Sequence, residues 1–255
     1  MSVRQLAFLY VVAITALCLF APALAFHDPL STNPLAQMLQ PSETHWAGTD
    51  YLGRDIWSRF LYGGQLTLSL TLLSSVIAIV PGTLWGIAAG WWRWVDRWTG
   101  VLLYTLLSVP PLILALLIAS LLPASWYAIA TSVALAQIAS VVVIARSTTI
   151  SIRSSEYLKA AQALGAGQGH LLYVHLWPNT THVLKTYAGI VFAYCLLMVS
   201  ALGFLGIGFD AGYPEWGVML AESRYVFRAS PWPALLPGIA ITGLVLAVQT
   251  LARQS

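Results

Sequence analysis

Residues 98–145 read WTGVLLYTLLSVPPLILALLIASLLPASWYAIATSVALAQIASVVVIA, and no charged residue lies between Arg97 and Arg146. A transmembrane helix needs about 20 mainly apolar residues, so this run is too long for one helix. Pro123-Ala124-Ser125-Trp126 near its middle makes a tight turn. The run therefore reads as a hairpin of two membrane spans, 98–122 and 126–145. Pro110-Pro111 is expected to kink or break the first of them.

The rest of the chain agrees with that hairpin. Of its 255 residues 58% are hydrophobic and only 8% charged, against about 25% charged in a soluble domain. Mean hydropathy is +0.77. A soluble fold is excluded, and the bilayer is the solvent. The net charge of +3 comes from basic residues scattered among spans, so no nucleic-acid partner is expected. Cys18 and Cys195 both lie in apolar runs and read as small buried hydrophobes, with no disulfide framework.

Residues 6–25, 65–92, 186–209 and 232–252 complete a set of six expected spans in a single all-α transmembrane domain covering 1–255. Arg4, an apolar run and Ala23-Leu24-Ala25 also resemble a signal peptide. The run exceeds the usual apolar region of about 7–15 residues, which favours an uncleaved first helix. With the N-terminus inside, the inner loops hold Arg4, Arg93, Arg97, Arg146, Arg153, Lys159, Lys185 and Arg253. The outer loops hold only Arg54, Arg59, Arg224 and Arg228. Basic residues accumulate on the cytoplasmic side, so both termini are expected there. The acids agree: Asp28, Glu43, Asp50, Asp55, Asp210, Glu215 and Glu222 fall outside, Asp96 and Glu156 inside.

No span carries a central Asp, Glu, Lys, Arg or His, which argues against a proton-coupled transporter. Gly82, Gly86 and Gly90 form a small-xxx-small ladder that allows close helix packing.

Within the polar loop 147–185, residues 156–179 read EYLKAAQALGAGQGHLLYVHLWPN. Ser154 or Ser155 can cap a helix, and Glu156 suits the dipole of its first turn. Tyr157, Ala160, Ala161 and Leu164 recur at helical spacing and make one apolar, small-residue face. Gly165, Gly167 and Gly169 break the helix. A second short helix to Trp177 is expected to stop at Pro178-Asn179. A helix of about ten residues is marginal alone in water. Its small-residue face suits a groove on a partner.

Three stretches together carry a family resemblance. Glu156-Tyr157 with Ala160-Ala161, Ala163-Leu164-Gly165, then His175 and Pro178-Asn179, resembles the coupling loop (the EAA motif) of ABC importer permeases. Residues 45–59, HWAGTDYLGRDIWSR, resemble the signature of the second permease of dipeptide, oligopeptide and nickel importers. Residues 204–208, FLGIG, followed by 214–220, PEWGVML, resemble that subfamily's later extracytoplasmic segment. The three lie in the family's order and span nearly the whole chain. Ala47 stands where the family usually has leucine, and Ala211-Gly212 replaces a common proline pair. Residues 248–255 lack the family's Asn-x-x-Gly-Asp and Asp-Pro tail.

The resemblance implies a type I ABC importer permease fold in a bacterial inner membrane. It implies two permeases, two ATP-binding subunits and an extracytoplasmic substrate-binding protein. ATP and Mg²⁺ would be bound by the partners: this chain has no phosphate-binding Gly-x-x-x-x-Gly-Lys loop and needs no cofactor of its own. The cargo implied is short peptides, with nickel or a metal chelate as alternative. Glu156, Tyr157, Ala160, Ala161, Ala163, Leu164, Gly165, His175, Pro178 and Asn179 would form the ATPase-coupling site. The extracytoplasmic motif would comprise Gly48, Thr49, Asp50, Gly53, Arg54, Asp55, Ser58, Arg59, Glu215, Trp216 and Gly217.

Gly48 and Gly53 allow tight turns. Asp55 and Arg59, at i, i+4, are expected to pair on a short interfacial helix. This stretch reads either as a structured cap that closes the outer mouth or meets the binding protein, or as an anchor that positions the second span. Glu215 and Trp216 face the same choice, with solvated loop charge the expectation for the outer acids. His170, His175 and His182 lack the i, i+4 spacing of metal ligands and no carboxylate accompanies them; His27 and His45 lie outside and could touch a metal in transit, but no metal site is assigned. An intramembrane enzyme would need motifs that are absent, such as His-Glu-x-x-His. An autonomous channel would leave the coupling loop without a purpose.

Overall fold

The computed structural model describes residues 2–209, 212–224, 226–228 and 230–252. Asp210, Ala211 and Arg253, which entered the sequence reading, lie outside these. The described chain is helical apart from a 3₁₀ turn, loops and a single antiparallel bridge between Thr49 and Asp55. Its helices are α1 (Val3–Leu19), α2 (Ala21–Leu24), α3 (Ile56–Trp91), α4 (Arg93–Leu107), α5 (Pro111–Leu121), α6 (Trp126–Ser154) and α7 (Glu156–Ala163). After them come α8 (Gln168–Phe204), α9 (Trp216–Ser223) and α10 (Trp232–Ala252).

Four helices, α3, α6, α8 and α10, are long and apolar enough to cross a membrane. The bent pair α4 and α5 makes a fifth span if counted as one, and α1 is a shorter apolar helix. α1 packs along α10, where the Tyr10 hydroxyl donates to the Ile239 carbonyl at 3.0 Å.

The centre of the bundle is the pair α3 and α6. Gly82, Gly86 and Gly90 of α3 face Val141, Ala145 and Thr149 of α6. Both series advance by four, so the two helices run parallel with one helical ridge of each in register. A Cβ at Gly86 would stand 2.5 Å from that of Ala145 and 2.7 Å from the Val142 carbonyl. Only glycine permits this approach.

The expected break in the span 98–122 falls at Pro110-Pro111, where two helices meet at 93°, because the prolines remove the N–H groups that would carry the helix on. Two features differ from the sequence reading. α3 begins at Ile56, not near residue 65, with Arg59 inside the helix. Pro178 does not stop a helix. α8 runs through it from Gln168, with a π-helical segment, Leu171–Leu176, immediately before Trp177. Proline is tolerated in the first turn of an α-helix, and the wider π turn precedes it.

Candidate functional site

At one end of the bundle, α6 turns at Ser155 into α7. Ser155 occupies the N-cap position, but its hydroxyl donates back to the Ile152 carbonyl at 2.5 Å and does not cap α7. Glu156 pairs across one turn with Lys159 at 2.8 Å. Leu158 is 0% exposed and enters a cluster with Ile87 and Trp91 of α3 and Leu171 and Leu176 of α8. Arg153 braces the same corner: its Nη1 donates to the Trp91 carbonyl at 2.8 Å and its guanidinium lies over the Trp91 ring.

The C-terminus of α7 is a Schellman motif. The Gly165 N–H donates to Gln162 and the Ala166 N–H to Ala161, with Gly165 at φ +86. A Cβ at Gly165 would meet nothing within 4 Å, so glycine is required there by the backbone and not by crowding. Ala161 and Ala166 pack against the Leu158 cluster. This divides the face expected from the sequence. Ala161 turns inward, whereas Tyr157, Ala160, Ala163 and Leu164 are exposed, Leu164 by 90%. The Tyr157 ring lies 5.9 Å from that of His175, and the Asn179 amide donates to the His175 carbonyl at 2.5 Å. Pro178 is exposed in the first turn after the π segment. Leu158, the residue that seats α7, was not among the site residues expected from the sequence; its one local signal is a large aliphatic side chain within the short helix.

At the opposite end, residues 45–59 fold back on themselves. Gly48 (φ +76) and Gly53 (φ +73) make the turns; Cβ atoms there would stand 2.3 Å from the Leu39 carbonyl oxygen and 1.9 Å from that of Asn33. Thr49 donates to the Ala36 carbonyl and accepts from the Leu39 N–H at 2.9 Å. Asp55 caps α3, accepting from the Ser58 N–H at 2.8 Å.

Asp55 and Arg59 do not pair. Arg59 reaches away, its Nη2 donating to Glu222 at 2.8 Å and its Nη1 to the Gly212 carbonyl at 2.9 Å. Arg54 donates to Asp50 at 2.6 Å and to the same Glu222 oxygen at 2.8 Å. Arg54 and Arg59 are 2% and 1% exposed. Two guanidinium groups thus share two carboxylates, and the network ties the start of α3 to the loop before α9 and to α9 itself.

Glu215 and Trp216 are not solvated. Glu215 is 0% exposed and caps α9, accepting from the Val218 N–H at 2.9 Å, with the Thr67 hydroxyl 2.9 Å from its other oxygen. Burial pushes its carboxyl up to about 7. The Trp216 indole donates to the Phe60 carbonyl at 3.0 Å. Gly217 lets α9 approach α8: a Cβ there would be 2.0 Å from the Ser200 carbonyl oxygen. The polar side chains of this outer motif are satisfied within the chain, which suits a clamp on the α3 start better than a surface offered to another protein.

A hollow of about 590 Å³ opens between α3, the α5–α6 turn and the end of α8, lined by Leu66, Ser69, Leu73, Trp126 and Phe209 among others.

Residues 82–254 match the family described as binding-protein-dependent transport system inner membrane component. The dipeptide transport system permease protein of Alkalihalophilus pseudofirmus is 35% identical over 95% of this chain and 81% of its own length. A probable D,D-dipeptide transport system permease protein of Escherichia coli is 33% identical, covering 91% and 78%. The glutathione transport system permease protein of Pectobacterium atrosepticum is 30% identical, covering 83% and 70%. The chain therefore belongs to the inner-membrane components of binding-protein-dependent transport systems, as a non-catalytic, membrane-spanning permease subunit of an ABC importer.

Proposed function

We propose that this permease is one of two in an importer of short peptides, and that α7 is the element its ATP-hydrolysing partner grips. One observation carries the coupling role. A short helix with a buried root at Leu158 holds Tyr157, Ala160 and Leu164 out to solvent. Exposed apolar side chains on a fixed base suit insertion into a partner groove. The root touches α3, α6 and α8 at once, so a push on α7 moves three long helices as a body. The peptide cargo is supported by the relatives, whose names specify dipeptides, D,D-dipeptides and glutathione.

The excess of basic residues at the end bearing α7 supports assigning that end, and both termini, to the cytoplasm. ATP and Mg²⁺ belong to two partner subunits in this reading. The hollow beside α3 would be completed by the second permease.

The test is co-purification of the complex with Ala160→Glu and Leu164→Glu. Both substitutions lie on the exposed face and leave the Leu158 cluster untouched. The reading expects the ATPase subunits to be lost while the chain stays folded in the membrane. Retention of the ATPase by both variants overturns it.

A further inference from the structure

At the start of α3, within and beside the 45–59 motif, three side chains converge: His27, His45 and Asp55, with His45 Nδ1 hydrogen-bonded to Asp55 Oδ1 at 2.8 Å. We propose that they form a binding site for a divalent first-row transition metal, one that pins the outer cap to α3. The inference goes beyond the transport role and does not depend on it.

The geometry carries it. Each residue offers one ligand atom, and these atoms all lie within 4.8 Å of one another. His45 Nδ1 is 2.8 Å from Asp55 Oδ1, and His27 Nδ1 is 3.9 Å from the same oxygen. Two ligands on one tetrahedral zinc ion, with bonds of about 2.0–2.1 Å, stand about 3.3 Å apart. The two distances straddle that value, and His27, the outlier, is the more exposed side chain and the freer to adjust. The imidazoles are stacked, with centroids 4.6 Å apart and planes 28° apart, so both edges face the carboxylate together.

Asp55 Oδ2 is held by the Ser58 N–H, and Oδ1, hydrogen-bonded to His45 Nδ1 in the metal-free chain, is the oxygen that would become a monodentate ligand as the ion replaces that proton. Ser58 also accepts from the His27 backbone N–H at 3.2 Å, which fixes the segment that carries that ring. Two imidazoles and one carboxylate suit zinc, copper or nickel and not magnesium or calcium. Three protein ligands leave a coordination position for water. An ion here would join the segment after α2, the cap loop and the N-terminus of α3.

The test uses the tag-free full-length chain with whatever subunits it retains in detergent. Co²⁺ is titrated and followed by its visible absorption, then displaced by Zn²⁺. The wild type is expected to bind one equivalent saturably, and Zn²⁺ to raise its unfolding temperature. His27→Ala, at a side chain 41% exposed, is expected to bind at least tenfold more weakly and lose the Zn²⁺ shift. In EDTA it should unfold where the wild type does. His182→Ala, an exposed histidine on α8, should bind as the wild type. Equal Co²⁺ affinity in wild type and His27→Ala, or no saturable binding by the wild type, overturns the site.

Discussion

The buried charges at the start of α3 set two expectations at the scale of single residues. Glu222 is the shared acceptor of Arg54 and Arg59. Glu222→Gln leaves two desolvated guanidinium groups with one carboxylate, Asp50. Removing one partner of a buried ion pair costs about 3–5 kcal/mol; Glu222 is 18% exposed, so about 3 kcal/mol is expected, read as a fall in unfolding temperature in detergent. Glu215 gives a pH signature. Its carboxyl titrates at about 7 in the folded chain against an ordinary 4.5, so the folded state binds the extra proton. Stability must then fall as pH rises from about 4.5 to about 7 and level off above. Glu215→Gln keeps an acceptor for the Val218 N–H and should abolish that part of the slope in a wild-type-minus-variant comparison. A matching slope in the variant would refute it. Sequence gave no access to these partners. Asp55 and Arg59 sit at pairing distance on a helix, yet the real partner of Arg59 is 163 positions away, and burial of Glu215 depends on Thr67 and Gly203 closing around it.

At the scale of elements, the ladder Gly82, Gly86 and Gly90 was legible as a packing surface, but its partner was not. On α6 the facing positions are Val141, Ala145 and Thr149, too varied in size to stand out as a small-residue row. Gly86→Leu should separate α3 from α6 and destabilise by about 1–3 kcal/mol, the usual cost of overpacking. Gly100→Leu, on α4 with open space around its Cα, should cost far less in the same unfolding assay. Prolines were read unevenly for a physical reason. Pro110-Pro111 ends one helix and starts another, and the 93° angle is then fixed by α5 packing on α6 and α8. Pro178 falls in a first turn, where its missing N–H is harmless, so the same residue type there continues a helix. Span edges near Ile56 were misjudged because Asp55 and Arg59 look like interfacial charges until their internal partners are known.

Across the whole molecule, the membrane class, the helical class and a short helix with exposed apolar side chains at one end of the bundle were written in composition and periodicity. Which face of that helix points outward was not, because the burial of Leu158 depends on Trp91 and Leu176 from two other helices. That distinction matters for mutagenesis: Ala161→Glu would damage the root of α7, whereas Ala160→Glu tests its surface. The central claim is that the exposed face of α7 meets the ATP-hydrolysing subunit. Cys18 and Cys195 are the chain's two cysteines and both are buried, so a cysteine placed at position 164 offers the accessible thiol. The most direct measurement is cross-linking of Leu164→Cys in native membranes with a short thiol-to-amine reagent, beside Leu35→Cys at the opposite end of the bundle. The account predicts an adduct with the ATPase subunit from position 164 and none from position 35. An ATPase adduct no stronger from position 164 than from position 35 would contradict it.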